Sequence, residues 1–194
     1  MEGLSRFGRT SAWLFLLSII FCSSSWAGEA VSWRPAIKIG GWIQGEKTVA
    51  SAERRQELLV LEFFSTTCPA CRESIQALNG RYRQLRRQGI MLLGLSNEEP
   101  ERLRGYIEQE KIDFPIAVDD NDQSHIAFMQ ALDVETIPYS FVLNAQGDVL
   151  WHGHPGEGLD PVLAEIAEGR FDFEEAQRSV LAGRNLEKSF KLFS

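Results

Sequence analysis

Apolar residues recur along this chain in two rhythms. Leu58–Phe64 is apolar at six of its seven positions, a run that suits a strand buried on both faces. From Cys71 the apolar residues fall instead at Ile75, Leu78, Tyr82 and Leu85, three and four apart, with arginines between them and Gly89 beyond. That spacing predicts an amphipathic helix with a glycine stop. Arg83, Arg86 and Arg87 suit the negative end of its dipole and need no ligand to explain them. Ile90–Leu95 reads as a second buried strand, Asn97-Glu98-Glu99-Pro100 as the start of a helix carrying Leu103, Tyr106 and Ile107, and Phe114–Val118 as a third strand. A short helix follows around His125–Leu132. Pro138 then precedes Tyr139–Leu143, and Asn144-Ala145-Gln146-Gly147 turns the chain into Val149–His152, an antiparallel hairpin. A last helix starts near Asp160-Pro161. Residues 171–194 form a charged tail with helical phasing at Phe173, Val180 and Leu181, its aromatic residues read as packing on the body. The sum is an α/β chain, a mixed β-sheet with helices on both faces.

The N-terminus has a different character. Arg6 and Arg9 precede an apolar stretch from Ala12 to Cys22, and Ser25-Trp26-Ala27 follows with small residues at its first and third places. This is the grammar of a secretory signal peptide, cut after Ala27. The stretch is about half of the roughly 20 residues that a membrane span needs, so a retained membrane tether is the alternative reading. A lipid anchor on Cys22 is opposed by bulky Phe21. Residues 28–57, with Trp33, Pro35 and a Gly40-Gly41-Trp42 turn, read as an irregular leader docking on a body of residues 58–170.

Export changes two readings. The whole chain carries a formal net charge of −7, and cleavage removes two arginines and one glutamate, leaving −8. An acidic surface repels phosphate backbones and anionic lipid, which excludes a nucleic-acid role. Cleavage also discards Cys22, leaving Cys68 and Cys71 as the only cysteines. A three-residue loop gains little closure entropy from a disulfide, so the pair is better read as a working redox couple than as a staple. Cys68 stands at a helix start, where unpaired N–H groups and the positive dipole end favour a thiolate. Pro69 is tolerated in the first turn because its missing N–H would have had no partner. Cys71, one turn on, faces the same side.

Leu61-Glu62-Phe63-Phe64-Ser65-Thr66-Thr67-Cys68-Pro69-Ala70-Cys71, Ile137-Pro138 and Trp151-His152-Gly153-His154-Pro155 together resemble the TlpA-like branch of the thioredoxin superfamily, over roughly residues 41–172. The resemblance implies a thioredoxin-like fold. It also implies a redox-active disulfide in which Cys68 attacks and Cys71 resolves, with a cis Pro138 shaping the substrate groove. The Ile137 backbone would then be free to pair with an extended peptide, and Thr67 and Pro69 would border it. Glu62 matches in position the buried acid of thioredoxins. As the one charge in a buried strand, its pKa would be raised, which fits it to take the proton from Cys71. The partners implied are a protein disulfide or dithiol and a membrane electron donor, in the periplasm or another extracytoplasmic space, with no cofactor. Thr67 stands where the family has a tryptophan, and Ser74 and Gln76 replace the glutamate and proline that often follow the second cysteine.

Other readings meet specific obstacles. Zinc needs a second ligand pair, which no remaining cysteine supplies. His152 and His154, two apart, would hold copper only if the fold put them beside the thiols. They read as a hairpin end and turn, so no metal is expected. Asp119-Asp120-Asn121-Asp122 lacks the glycine and distal glutamate of an EF-hand and reads as a solvated turn. A peroxidase would carry a proline and a threonine where Leu61 and Ser65 stand. The leading expectation is a protein-disulfide reductase, with a Dsb-type oxidant, or a copper or thiol chaperone for oxidase assembly, as the alternatives.

Overall fold

The computed structural model describes residues 32–49 and 57–191, with side chains to residue 184. The expected signal peptide with Cys22, and residues 28–31 and 50–56 of the expected leader, lie outside the described residues. No described helix is long and apolar enough to cross a membrane.

Six strands, β1 (Ile39–Gln44), β2 (Leu58–Phe63), β3 (Ile90–Ser96), β4 (Ile116–Asp119), β5 (Tyr139–Leu143) and β6 (Val149–Gly153), form one mixed sheet in the order β1-β4-β3-β2-β5-β6. β2, β3 and β4 run parallel, while β1, β5 and β6 are antiparallel to their neighbours. Parallel neighbours need a crossover, supplied by α1 (Pro69–Arg87) between β2 and β3 and by α2 (Pro100–Glu110) between β3 and β4. Three more helices follow, α3 (Gln123–Phe128), α4 (Leu159–Ala167) and α5 (Phe173–Lys191). This is the mixed sheet with helices on both faces that the pattern predicts, in the thioredoxin-like arrangement that the resemblance implies.

Side chains alternate across a strand, and β2 divides its residues accordingly. Leu58 and Val60 join the core under α1, α2 and α4, with Ile75, Leu78, Leu85, Leu103 and Leu163. Leu61 and Phe63 join the opposite core, with Trp33, Phe128, Phe141 and Val180 of α5. Glu62, two residues on from Val60, is therefore turned toward α1. The cross-strand register also sets Glu62 opposite Gly94 of β3 and Ser140 of β5. A Cβ on Gly94 would come within 2.5 Å of Ile116 Cδ1 and 3.1 Å of Phe64 Cε1, so a larger residue there would displace the Ile116 side chain and crowd Phe64.

Four local expectations are corrected. The leader is not irregular throughout. Ile39–Gln44 is a sheet strand paired with β4, and Gly40-Gly41-Trp42 lies inside it rather than in a turn, with register shifts on both sides. Gly40 allows this pairing, since its Cβ would sit 3.2 Å from the Asp120 backbone. The third strand of the body begins at Ile116 instead of Phe114, because Pro115 has no N–H to give to a ladder. Asp119 is buried, not solvated, and its carboxylate accepts from the Ser124 and His125 N–H groups at 2.8 Å, capping α3. Phe173, expected to pack, is 43% exposed, while Phe171 and Val180 make the contacts that seat α5.

Candidate active site

β2 ends at Phe63, and residues 64–67 carry the chain over the sheet edge into α1. Cys68 is the N-cap of that helix, with an extended backbone, and Pro69 is its first residue. The Cys68 Sγ accepts a hydrogen bond from the Cys71 N–H at 3.1 Å and is joined to Cys71 Sγ in a disulfide, with the two Cα atoms 5.2 Å apart. Burial separates the two sulfurs' roles. Cys71 is fully enclosed, whereas Cys68 is half-buried and flanked by exposed Thr67, Pro69 and Ala70. Only Cys68 can meet a sulfur from outside. As a thiolate it would keep the same N–H bond, now charge-assisted, and gain the dipole of a 19-residue helix.

The Ile137–Pro138 peptide bond is cis. It brings the Ile137 carbonyl to 3.8 Å from Cys68 Sγ. Ile137 is half-buried and Pro138 buried, so of the two it is Ile137 that remains open to solvent beside the sulfur. The chain thus gathers Cys68, Cys71, Thr67, Pro69 and Ile137 at one end of the sheet.

Glu62 is 1% exposed. Burial pushes its carboxyl up to about 7, opposed by hydrogen bonds from Ser140 and Ser74. Ser74 Oγ donates to Glu62 Oε1 at 2.6 Å, and Ser140 Oγ donates to Oε2. Cys71 and Ser74, three apart, share the face of α1 that Glu62 meets.

A second carboxylate, which the sequence reading passed over, organises the loop before Cys68. Glu98 accepts from Thr66 N at 2.7 Å, Thr66 Oγ1 at 2.8 Å, Ser96 Oγ at 3.2 Å and Ser65 Oγ at 3.3 Å. These groups follow the C-terminal ends of β2 and β3, which lie side by side because the strands are parallel neighbours. The signal available was the pair of polar runs Ser65-Thr66-Thr67 and Ser96-Asn97-Glu98, each directly after a buried strand. Hydrogen bonds to a charged group are worth about 1.5–3 kcal/mol. Glu98→Ala is expected to cost about 2 kcal/mol in urea unfolding and to lower the rate of Cys68 alkylation severalfold, while Glu98→Gln retains most of both.

The histidines part company. His152, on β6, lies among Trp33, Phe141 and Tyr139 on the side of the sheet away from α1, its Nδ1 2.9 Å from Tyr139 Oη. Burial, aided by the charge of Arg184, pushes its imidazole below the usual value. His154, past the end of the strand, accepts from Gly156 N–H at 3.2 Å and lines a cleft that also holds Ala70 and Ser74. Strand alternation would have put both on one face, but the strand stops at Gly153 between them. Among the described residues no group of three His, Cys, Asp or Glu side chains is placed to hold a metal ion.

Two clefts flank the sulfurs. One, of about 310 Å³, runs along α1 between Ala70, Ser74 and Leu78 on one wall and His154, Pro155 and Leu159 on the other. The second, of about 140 Å³, lies beyond Ile137, between Ser65, Ser96 and His125 over a floor of Phe63 and Leu95.

The model of the AhpC/TSA family matches residues 35–152. Among curated proteins, the sporulation thiol-disulfide oxidoreductase A of Bacillus subtilis is 24% identical over 143 residues, covering 71% of this chain and 83% of the relative. The thiol-disulfide oxidoreductase ResA of Halalkalibacterium halodurans is 21% identical over 127 residues, covering 65% and 69%. Among solved structures, a thiol-disulfide isomerase from Corynebacterium glutamicum superposes with a TM-score of 0.58 at 20% identity, over 72% of this chain and 97% of that one. That last likeness is one of fold.

Proposed function

The chain belongs to the AhpC/TSA family of the thioredoxin superfamily, and from that premise we propose that it reduces disulfides of partner proteins outside the cytoplasm through Cys68 and Cys71. It is a thioredoxin-like thiol–disulfide oxidoreductase, as its relatives are named. The observation that carries the assignment is the asymmetry of the pair, a half-buried Cys68 sulfur on a helix N-cap and a fully enclosed Cys71 one turn on.

The steps follow from that asymmetry. The Cys68 thiolate attacks a partner disulfide, one partner sulfur leaves as a thiolate and is protonated by water, and a mixed disulfide joins Cys68 to the other. Ile137 offers its backbone to an extended segment of the partner. Glu62 takes the proton of the Cys71 thiol, and the Cys71 thiolate attacks Cys68 Sγ. The mixed disulfide breaks, the second partner thiolate leaves, and two electrons have passed to the partner. A membrane-bound donor, facing the same compartment, restores the dithiol. The net negative surface favours partners with basic segments near the target disulfide.

The test is to express Cys71→Ser in the native host, where it is expected to accumulate mixed disulfides on Cys68 with extracytoplasmic proteins. Equilibration of the wild type against glutathione sets the direction. A potential near about −270 mV fits a reductant, and one near about −120 mV would reverse the proposed flow of electrons. Absence of any adduct on Cys68 would remove the proposal.

A further inference from the structure

We infer that Ser74 is the proton outlet of the buried acid, a relay that passes the proton of Glu62 to water in the cleft beside α1. The inference rests on the reading of Glu62 as the acceptor of the Cys71 proton, and it adds the path by which Glu62 is reset.

Glu62 has no surface of its own through which to exchange protons. Its two oxygens are each occupied by one serine. Ser140 holds Oε2 and is itself fully buried between β2 and β6, so it leads nowhere. Ser74 holds Oε1 at 2.6 Å and is half-buried, with the rest of its surface lining the cleft of about 310 Å³ between α1 and His154. That cleft is large enough for several waters and opens beside Ala70, between the two cysteines. A hydroxyl both donates and accepts. While Glu62 is ionised, Ser74 donates to it. Once Glu62 has taken the Cys71 proton, the carboxylic acid donates to Ser74 Oγ, and Ser74 releases its own hydrogen to a cleft water. The proton leaves, the hydroxyl turns back, and no charge is stranded. Ser74 stands three residues after Cys71, so the relay lies one turn of α1 below the sulfur whose proton it carries.

The experiment compares four proteins, Ser74→Ala, Ser74→Thr, Ser140→Ala and Glu62→Gln, in single-turnover reduction of oxidised glutathione by reduced protein held beforehand at about pH 5, where Glu62 carries its proton, and jumped to the assay pH on mixing, so that Glu62 must release that proton before it can accept the one from Cys71. The resolving phase is followed across pH, with and without imidazole, a buffer small enough for the cleft. Ser74→Ala is expected to slow resolution about tenfold or more near neutrality and to be restored by imidazole, which carries the proton in place of the hydroxyl. Ser74→Thr keeps the hydroxyl and should behave as wild type. Ser140→Ala removes an equivalent hydrogen bond from the same carboxylate, so it should move the pH midpoint upward without any response to imidazole. A Ser74→Ala protein that matches Ser140→Ala in its indifference to imidazole would overturn the relay, because the serine would then act only on the affinity of Glu62 for its proton. Glu62→Gln separates the two levels. If it leaves the pH profile of resolution unchanged, the acceptor role of Glu62 falls. If it flattens the profile while Ser74→Ala runs at the wild-type rate, the relay alone falls.

Discussion

Serine in place of Cys68 is expected to lower disulfide-exchange turnover at least about a thousandfold, while serine in place of Cys71 leaves the first chemical step intact. The hydroxyl of serine does not ionise near neutrality and cannot displace a sulfur, so the nucleophile is removed outright. The fold is expected to survive, because serine is among the best N-cap residues and its oxygen can accept the Cys71 N–H that Cys68 Sγ now accepts at 3.1 Å. Cys71 cannot substitute, being fully enclosed beneath residues 68–70. In Cys71→Ser the accessible sulfur is still present, and the mixed disulfide forms but is not resolved. Insulin reduction measures the turnover, and mass spectrometry of the trapped adduct measures the first step. Retention of wild-type turnover by Cys68→Ser, or an adduct on Cys71 in that variant, would contradict the assigned order of attack.

The sequence made the frame of the site legible because its determinants are local. Six apolar residues in seven suit a strand covered on both sides, and the single exception, Glu62, stands out against them. The helix after Cys68 announces itself by spacing, and Pro69 marks its first residue. What escaped depends on pairings between distant segments. β1 joins β4 across some 75 residues with two register shifts, and nothing in Gly40-Gly41-Trp42 distinguishes such a strand from a turn. Glu98 reaches Thr66 only because β2 and β3 end side by side. Asp119 became buried because the turn after β4 folds back so that two N–H groups at the start of α3 meet its carboxylate. The acidic run was legible as polar, but its use as a cap was not.

Glu62→Gln is expected to stabilise the oxidised protein by about 3 kcal/mol at pH 8 and by almost nothing at pH 4. The wild-type carboxyl has an ordinary value of 4.5, and burial raises it to about 7 in the folded chain. Between those values the folded state holds a proton that the unfolded state has released, so stability falls as pH rises. Glu62's contribution is complete below 4.5 and gone once pH passes 7. At about 1.36 kcal/mol per pH unit this interval is worth about 3 kcal/mol. Glutamine has the shape of the neutral acid, and its amide can keep both serine hydroxyls paired, since each hydroxyl donates or accepts. It does not ionise, so its buried site costs the same at every pH. Other groups titrate in the same window, and the difference between the two urea-unfolding curves, taken with the disulfide intact, isolates position 62. Parallel curves from pH 4 to 8 would mean that the carboxylate is compensated where it lies. A gap that opens between about 4.5 and 7 means that the fold retains a destabilising charge at position 62, which is what the proposed role of Glu62 as a proton acceptor requires.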